Sequence, residues 1–279
     1  MTSRTIISLD KFRTVMAEQP HSRVSDKYGF VPTIKIAEIL MDMGWYPTQV
    51  QESKVVDRSN YGYQRHLVRF ARPHDLNLST IPEIAIVNAH NRMSSVRILG
   101  GAFETLCENG LIVGTMIGQI VIPHIGFAER KVAETVTTMA NSIPGIMERV
   151  DRYKTIEMSQ DDNKVYCMAS LCSTRGISEE EVKAHFVPER LLETRRYQNR
   201  KRQDLWNTFN VVQENMIKGS RYAVRTNRNR PGYRAVVKTV GIKGVDQLID
   251  TNVGLWSITD RVDSLKCNCK PLTVESLLN

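Results

Sequence analysis

Histidines 66 and 90 are the residues best suited to metal chemistry. His66 lies in the alternating segment YQRHLVRF and His90 lies near the end of PEIAIVNAHN, so two neighbouring strands would bring the imidazoles together. With Asp57 or Glu83 as a further ligand, they would form the site of a metal-dependent nuclease. Such sites usually contain a cluster of carboxylates, whereas these predicted strands have few acids. The nuclease is therefore an alternative rather than the leading hypothesis.

Signature motifs of other enzymes are absent from the sequence. The patterns GxxxxGK[ST], HExxH and GxSxG do not occur, so we expect no catalytic constellation and no cofactor. The CNC motif near the end has no CxxC or HxxxH partner for a tetrahedral zinc site. We therefore expect free thiols at all five cysteines, Cys107, Cys167, Cys172, Cys267 and Cys269.

A second set of residues is suited to binding rather than to catalysis. The formal net charge is +8, but residues 190–243 hold fourteen Lys or Arg against three acids, an excess of +11 that leaves the remainder at about −3. Arginine predominates, and its planar guanidinium can donate two hydrogen bonds to a phosphate and stack on a base. Tyr197, Tyr222 and Tyr233 are interleaved with these charges. A basic track with aromatic platforms is typical of proteins that hold single strands irrespective of sequence.

The basic residues form two clusters on either side of a predicted helix over 203–219. The first cluster consists of Arg190, Arg195, Arg196, Arg200, Lys201 and Arg202. The second consists of Arg221, Arg225, Arg228, Arg230, Arg234 and Lys238, with Tyr222 and Tyr233 placed to support bases. Arg65 and Arg69, on a predicted strand, would extend the track. On the helix itself, Asn207, Asn210 and Glu214 share one polar face, which either binds a partner or is solvated.

Hydrophobic periodicity predicts an α+β fold that positions these residues. TIKIAEILMDMG predicts a helix, the next three apolar segments alternate as strands, and residues 94–109 have helical spacing. The short connections without crossover helices indicate an antiparallel β-meander flanked by helices, a helix-strand-strand-strand-helix core. The C-terminal half is predicted to be helical, and the turn NRNRPGY predicts a basic hairpin or loop within it. Its predicted helices cover 129–154, 156–172, 178–199, 203–219 and 244–262.

We expect four parts along the chain. These are an N-terminal arm (1–27), the α+β core (28–154), a helical, basic, nucleic-acid-binding part packed on the core (155–262) and an irregular tail (263–279). The sequence has no signal-peptide pattern and no continuous apolar run long enough for a membrane span. A cytoplasmic protein without a membrane partner is expected.

Four segments resemble a known family when taken in order. SDKYGFVPTIKIAEILMDMGWYPTQVQES, YQRHLVRF, PEIAIVNAHNRMSSVRILGGAFETLCENGLIVG and DLWNTFNVVQENMIKG are similar to uncharacterised proteins encoded by phages and plasmids. The resemblance runs from about residue 25 to 256. It implies a mobile element in a bacterial host cell and carries no established activity.

The order of the elements also resembles the core of phage single-strand annealing recombinases of the RecT, Redβ and Erf type. That resemblance implies a homo-oligomeric ring or filament that binds single-stranded DNA along a basic track and anneals it without ATP, with Mg²⁺ only as a DNA counter-ion. It favours a role in phage or plasmid recombination, with a host single-strand-binding or defence protein as a further partner. The alternatives are an anti-restriction or anti-defence protein that binds a host factor, and the metal-dependent nuclease.

Overall fold

The computed structural model describes residues 5–24, 29–92, 95–104, 119–122, 129–195, 202–226 and 232–279. The chain divides into two compact units, Met1–Met147 and Glu148–Asn279, and the boundary falls within the helix Glu129–Tyr153. No helix in these ranges is both long enough and apolar enough to span a bilayer.

The first unit contains a helix and an antiparallel sheet. Helix α1 (Thr33–Asp42) precedes five strands that are hydrogen-bonded in sequence order. The strands are β1 (Tyr46–Glu52), β2 (His66–Ala71), β3 (Thr80–Asn88), β4 (Val96–Glu104) and β5 (Gln119–Ile122). The predicted α+β class and the antiparallel meander are confirmed.

One face of the sheet packs against α2 (Glu129–Tyr153) through Gly100 on β4. A Cβ at Gly100 would lie 2.7 Å from Met139 Sδ and 3.0 Å from Ile146 Cδ1, so a larger residue would require these side-chain ends to shift. The same face carries Ile84, directly opposite Gly100 on β3. Burial of these aliphatic groups between sheet and helix forms a core of the first unit.

The helix predicted over 94–109 is wrong for the part that the structure describes. Residues Val96–Glu104 form β4, which pairs with β3 from Thr80↔Glu104 to Val87↔Arg97. The segment VRILGGAF satisfies helical and strand spacing equally. Its β-branched residues and its glycine pair favour a strand, and pairing with β3 satisfies its backbone groups. Residues 105–109 lie outside the described ranges.

The second unit is mainly helical. After the end of α2 it contains α3 (Gln160–Arg175), α4 (Glu179–His185), α5 (Leu205–Lys218), the two-stranded hairpin β6 (Ala223–Thr226) and β7 (Arg234–Val237), α6 (Val245–Cys267) and α7 (Val274–Leu278). The predicted helix over 178–199 is shorter than expected because Pro188 begins a separate 3₁₀ turn, Pro188–Leu192. Residues 263–279 are not irregular throughout, since they contain the end of α6 and all of α7.

Aromatic side chains form the centre of the second unit. Trp206 and Phe209 on α5 stack with ring centroids 5.4 Å apart, and Trp256 on α6 meets Phe209 edge-on at 6.1 Å. Tyr153, at the end of α2, contacts the same Trp256 ring at 5.2 Å. These large buried rings fix α5 against its neighbours, and α5 in turn leads directly into the basic hairpin.

Candidate nucleic-acid interface

The basic hairpin predicted after residue 219 is present in the structure. Strands β6 and β7 pair antiparallel from Ala223↔Val237 to Thr226↔Arg234, while residues 227–231 of the connecting turn lie outside the described ranges. Residues directly opposite each other share a face, and successive residues alternate between faces. Arg225 is opposite Ala235, whereas Arg234 is on the other face, and Tyr233 directly precedes β7.

Four cations on or beside this hairpin are exposed and have no carboxylate partner among the residues that the structure describes: Arg221, Arg225, Arg234 and Lys238. Two of them contact backbone oxygens instead. Arg221 donates to the carbonyl of Val236 at 3.5 Å, and Arg234 donates to the carbonyl of Lys183 at 3.1 Å. We call these four side chains the hairpin cations.

Several cations elsewhere in the second unit are paired with acids, unlike the hairpin cations. Lys164 contacts Asp161 at 3.0 Å, and Arg149 contacts Asp260 at 3.3 Å. Such pairs neutralise the surface locally. The hairpin cations lack this compensation, so the hairpin is a local concentration of positive potential.

The base of the hairpin is held by close backbone contacts. Thr239 N donates to the Ser220 carbonyl at 2.9 Å, and Ser220 N donates to Thr239 Oγ1 at 3.2 Å. Gly219 has φ +72°, and a Cβ there would lie 2.3 Å from the carbonyl oxygen of Thr239. These contacts fix the start and the end of the hairpin to the C-terminal end of α5.

Tyr222 anchors the hairpin instead of supporting a base. Its side chain is fully buried, its ring stacks on Phe186 at 6.0 Å, and its hydroxyl accepts a hydrogen bond from Arg175 at 3.2 Å. No face of the ring is open to a nucleotide in this structure. Tyr233, the other predicted platform, is 44% exposed and keeps an accessible ring.

Two of the described residues of the first basic cluster hold α5 in place, while Arg190 pairs with Glu193 at 3.0 Å. Arg195 Nε donates to Asn215 Oδ1 at 3.0 Å and its Nη2 donates to the Gly219 carbonyl at 2.7 Å, which caps the C-terminal end of α5. Arg202 pairs with Asp204, the N-cap residue of the same helix, at 3.1 Å. An arginine therefore contacts each end of α5. The predicted site residues Arg196, Arg200, Lys201, Arg228 and Arg230 lie outside the described ranges.

The two arginines predicted to extend the track lie in the first unit and are not exposed there. Arg69 is 3% exposed and its guanidinium contacts the Glu83 carboxylate at 3.1 Å. Arg65 is half-buried, and burial together with the neighbouring Arg97 guanidinium lowers its pKa. Arg69 is therefore part of the interior of the unit rather than of a surface track.

His66 and His90 do approach each other, as the alternation predicts, with ring centroids 5.2 Å apart. Both imidazoles contact Thr33 Oγ1, at 2.8 and 3.3 Å, and Asn88 Nδ2 donates to the same oxygen at 2.9 Å. His66 Nδ1 lies 3.0 Å from the carbonyl of Gln64, so it donates there and its Nε2 accepts from Thr33. Burial lowers the pKa of His66 to about 4, which keeps the ring neutral near pH 7.

This buried cluster lacks the acids that a nuclease centre would use. Asp57 contacts Ser59 N and Arg23, and Glu83 contacts Arg69. Within the described ranges no three His, Cys, Asp or Glu side chains are grouped so as to hold a metal ion. The cluster instead links the first residue of α1 to β2 and β3.

Comparison with known proteins gives the family. Residues 20–240 match the family described as "Domain of unknown function (DUF932)". This chain belongs to the DUF932 family. The resemblance seen in the four sequence segments is confirmed, and the family brings no established activity.

Two relatives of this DUF932 chain occur in Escherichia coli strain K12. They are "UPF0380 protein YafZ" and "UPF0380 protein YfjQ", and each is 27% identical over 247 residues, which cover 88% of this chain and 86% of the relative. No solved structure matches the chain.

The polar face of α5 is buried in this DUF932 protein, so both predicted roles, partner binding and solvation, are wrong. Asn210 is 3% exposed and donates to the Trp206 carbonyl at 2.7 Å. Glu214 accepts from Lys218 at 2.8 Å, and Asn215 donates to the Leu191 carbonyl at 2.8 Å. The polar side chains of this face form hydrogen bonds with backbone and side-chain groups inside the second unit. Spacing alone does not distinguish a polar face that is buried from one that is solvated.

Sequence reasoning missed one contact between distant residues of the DUF932 chain. The guanidinium of Arg13 lies over the ring of Tyr61, 5.5 Å from its centroid, and Tyr61 is 59% exposed. The two residues are far apart in sequence and neither belongs to a charged cluster. No local pattern signals such a pair.

Proposed function

We propose that this DUF932 protein binds single-stranded DNA through the basic hairpin and promotes annealing of complementary strands without ATP. The observation that supports the proposal is the group of four exposed hairpin cations without carboxylate partners. A phosphate backbone supplies the missing negative charge at regular intervals, and binding releases the counter-ions condensed on the DNA.

Tyr233 supports a single strand as the ligand rather than a duplex. Its exposed ring belongs to the residue that directly precedes β7 and is next to Arg234 in the chain, so a base can stack close to a phosphate contact. Bases within a duplex are already stacked on their neighbours and are not available to a tyrosine. The hairpin needs no sequence preference, because every base has an aromatic face.

Annealing and assembly rest on the resemblance of element order to the single-strand annealing recombinases. A ring or filament of this chain would align many hairpins along one strand and keep the bases open for pairing. No catalytic step is needed, and Mg²⁺ would act only as a counter-ion of the DNA. A membrane has no part in this function.

The direct test is a charge-matched comparison. The hairpin variant R221A/R225A/R234A/K238A removes four unpaired cations, and the control variant K35A/R130A/K154A/K164A removes four cations that each contact a neighbouring acid. Both variants lose the same formal charge. We expect the hairpin variant to bind fluorescein-labelled oligo(dT) at least tenfold more weakly, and its log–log salt slope to be smaller by up to about 3.

The control variant should stay within about twofold of the wild type. Circular dichroism of both variants checks that they are folded. An equal loss of affinity in the two variants would show that only overall charge matters, and would contradict a hairpin site. Annealing is measured as fluorescence quenching when two labelled complementary oligonucleotides are mixed with protein and no nucleotide, and electron microscopy with and without DNA shows rings or filaments.

An acidic surface of a host protein is the second candidate for the hairpin, because the same uncompensated cations would complement it. This alternative corresponds to an anti-restriction or anti-defence role. Recovery of one host protein with the wild type and not with the hairpin variant, together with no affinity for oligonucleotides, would favour it over DNA binding.

A further inference from the structure

A surface cavity in the first unit has features of a second nucleotide contact. It has a volume of about 400 Å³, within the range of small-molecule sites, and lies between the N-terminal segment and the loop that precedes β2. Its lining includes Arg13, Met16, Glu18, Gln19, Tyr61 and Tyr63. We propose that an unpaired base of a nucleic acid stacks on Tyr61 in this cavity, with its phosphate beside Arg92.

The aromatic side of the cavity is exposed to solvent. Tyr61 is 59% exposed although it is a large aromatic, and the Arg13 guanidinium lies over one face of its ring in a cation–π contact, so a base stacks on the face that Arg13 does not cover. Tyr63 is fixed behind it by an edge-on contact with His21 at 5.1 Å. Gly62, between the two tyrosines, has φ +90°, and its N–H donates to Gln64 Oε1 at 2.7 Å. A stacking platform that is already ordered loses little entropy on binding.

A smaller cavity of about 250 Å³ adjoins the same loop and supplies the positive charge. Arg23, Asn60 and Arg92 are among its lining residues, and Asn60 is the neighbour of Tyr61 in the chain. Arg23 is paired with Asp57 at 3.2 Å, so within the smaller cavity the Arg92 guanidinium is the cation available to a phosphate. Arg92 has φ +66°, a conformation that residues other than glycine rarely adopt.

The charges of the two cavities orient the ligand. The larger cavity holds one cation, Arg13 over the Tyr61 ring, and one acid, Glu18, which repels a phosphate and accepts hydrogen bonds from an amino group. The smaller cavity holds Arg92, which has no carboxylate partner among the described residues. The phosphate is therefore directed to the smaller cavity and the base to the larger one. We expect a preference for bases with an exocyclic amine, such as cytosine and adenine, over thymine.

This site deepens the proposed function, because it adds a contact in the first unit for the same class of ligand that the hairpin binds. The shared chemistry is a base with its phosphate, which occurs in free nucleotides and in single strands. The experiment therefore has two arms. One uses a single-stranded oligonucleotide with one 5-iododeoxycytidine, and the other uses free 5-iododeoxycytidine monophosphate. Each probe is cross-linked to the protein with ultraviolet light, and mass spectrometry identifies the cross-linked peptide.

Cross-linking to the peptide that contains Tyr61 is the expected result in both arms. Oligonucleotide affinity should fall at least about fivefold in Tyr61→Ala and be largely kept in Tyr61→Phe, because stacking needs the ring and not the hydroxyl. Tyr46→Ala is the matched control, since Tyr46 is also an exposed tyrosine of the first unit. Arg92→Gly removes the guanidinium while suiting the positive φ, so weaker binding by this variant without a loss of stability would support the phosphate contact.

The outcomes separate this inference from the proposed function. Full oligonucleotide affinity in Tyr61→Ala, with cross-links only elsewhere, would overturn the cavity site and leave the hairpin function standing. Cross-linking of the free nucleotide at Tyr61 by a protein that binds no oligonucleotide would support the cavity site and contradict the hairpin function. If the wild type neither binds the oligonucleotide nor cross-links the free nucleotide, both the cavity site and the hairpin function are contradicted.

Discussion

Gly219 lies so close to Thr239 that a Cβ would be 2.3 Å from the Thr239 carbonyl oxygen, at a backbone φ of +72°. We expect Gly219→Ala to lower the free energy of unfolding by about 2 kcal/mol or more, because a positive φ with a ψ of 134° is a conformation that residues with a Cβ rarely adopt, and the steric overlap adds to this cost. Gly176 is the matched control. It has φ +63° with nothing within 4 Å of the position that a Cβ would take, so Gly176→Ala should cost only about 1 kcal/mol. Urea denaturation measures both, and equal losses would contradict the larger cost expected at Gly219.

We expect Arg195 to stabilise the fold and to contribute little to oligonucleotide binding. Arg195→Ala leaves Asn215 Oδ1 and the Gly219 carbonyl without their donor, and we expect a loss of about 1–3 kcal/mol in unfolding free energy. Its effect on oligonucleotide affinity at a temperature where the variant is folded should be within about twofold. A tenfold loss of affinity with unchanged stability would instead assign Arg195 to the DNA-binding surface.

The buried pair of Arg69 and Glu83 gives a third prediction. Removing only the cation with Arg69→Met leaves a buried carboxylate, and we expect about 3–5 kcal/mol of destabilisation. The double variant R69M/E83L removes both charges and should recover much of that loss. Chemical denaturation of the two variants and the wild type completes the comparison. If the double variant were less stable than the single one, the two charges would not be acting as a pair.

Low pH should destabilise the folded first unit because His66 is protonated more readily in the unfolded chain. The pKa of His66 is lowered in the folded state to about 4, below the usual value of 6.5, so the unfolded chain binds more protons between these values. The contribution to stability is therefore fully present above about pH 6.5 and is lost as the pH falls towards 4, by roughly 3 kcal/mol at most. The variant His66→Gln, which retains a donor and an acceptor, should show a flatter pH dependence of the urea midpoint over this range.

His74→Gln is the control for that measurement. The His74 side chain is 72% exposed beside Asp75, so its replacement should leave the pH profile close to that of the wild type. An unchanged profile in His66→Gln would show that another group dominates the acid response.

Much of the fold follows from local patterns. Alternation in YQRHLVRF predicts β2 and the apolar segment PEIAIVNAHN predicts β3, while the SEEE capping box predicts the start of α4, where Ser178 accepts from Glu181 N. The secondary structure of Val96–Glu104, which forms β4, could not be predicted in the same way. Its spacing fits both elements, and its pairing with β3 is a contact that the segment does not itself encode.

The sequence by itself determined where the positive charge lies and that a hairpin carries part of it. It could not determine which arginines find acceptors within the fold. Arg195 and Arg69 have the same side chain as Arg225, yet their acceptors come from residues that only folding brings near them, Asn215 and Glu83. Because a guanidinium is buried only where acceptors compensate its lost hydration, the tertiary structure decided which cations remain available to a phosphate.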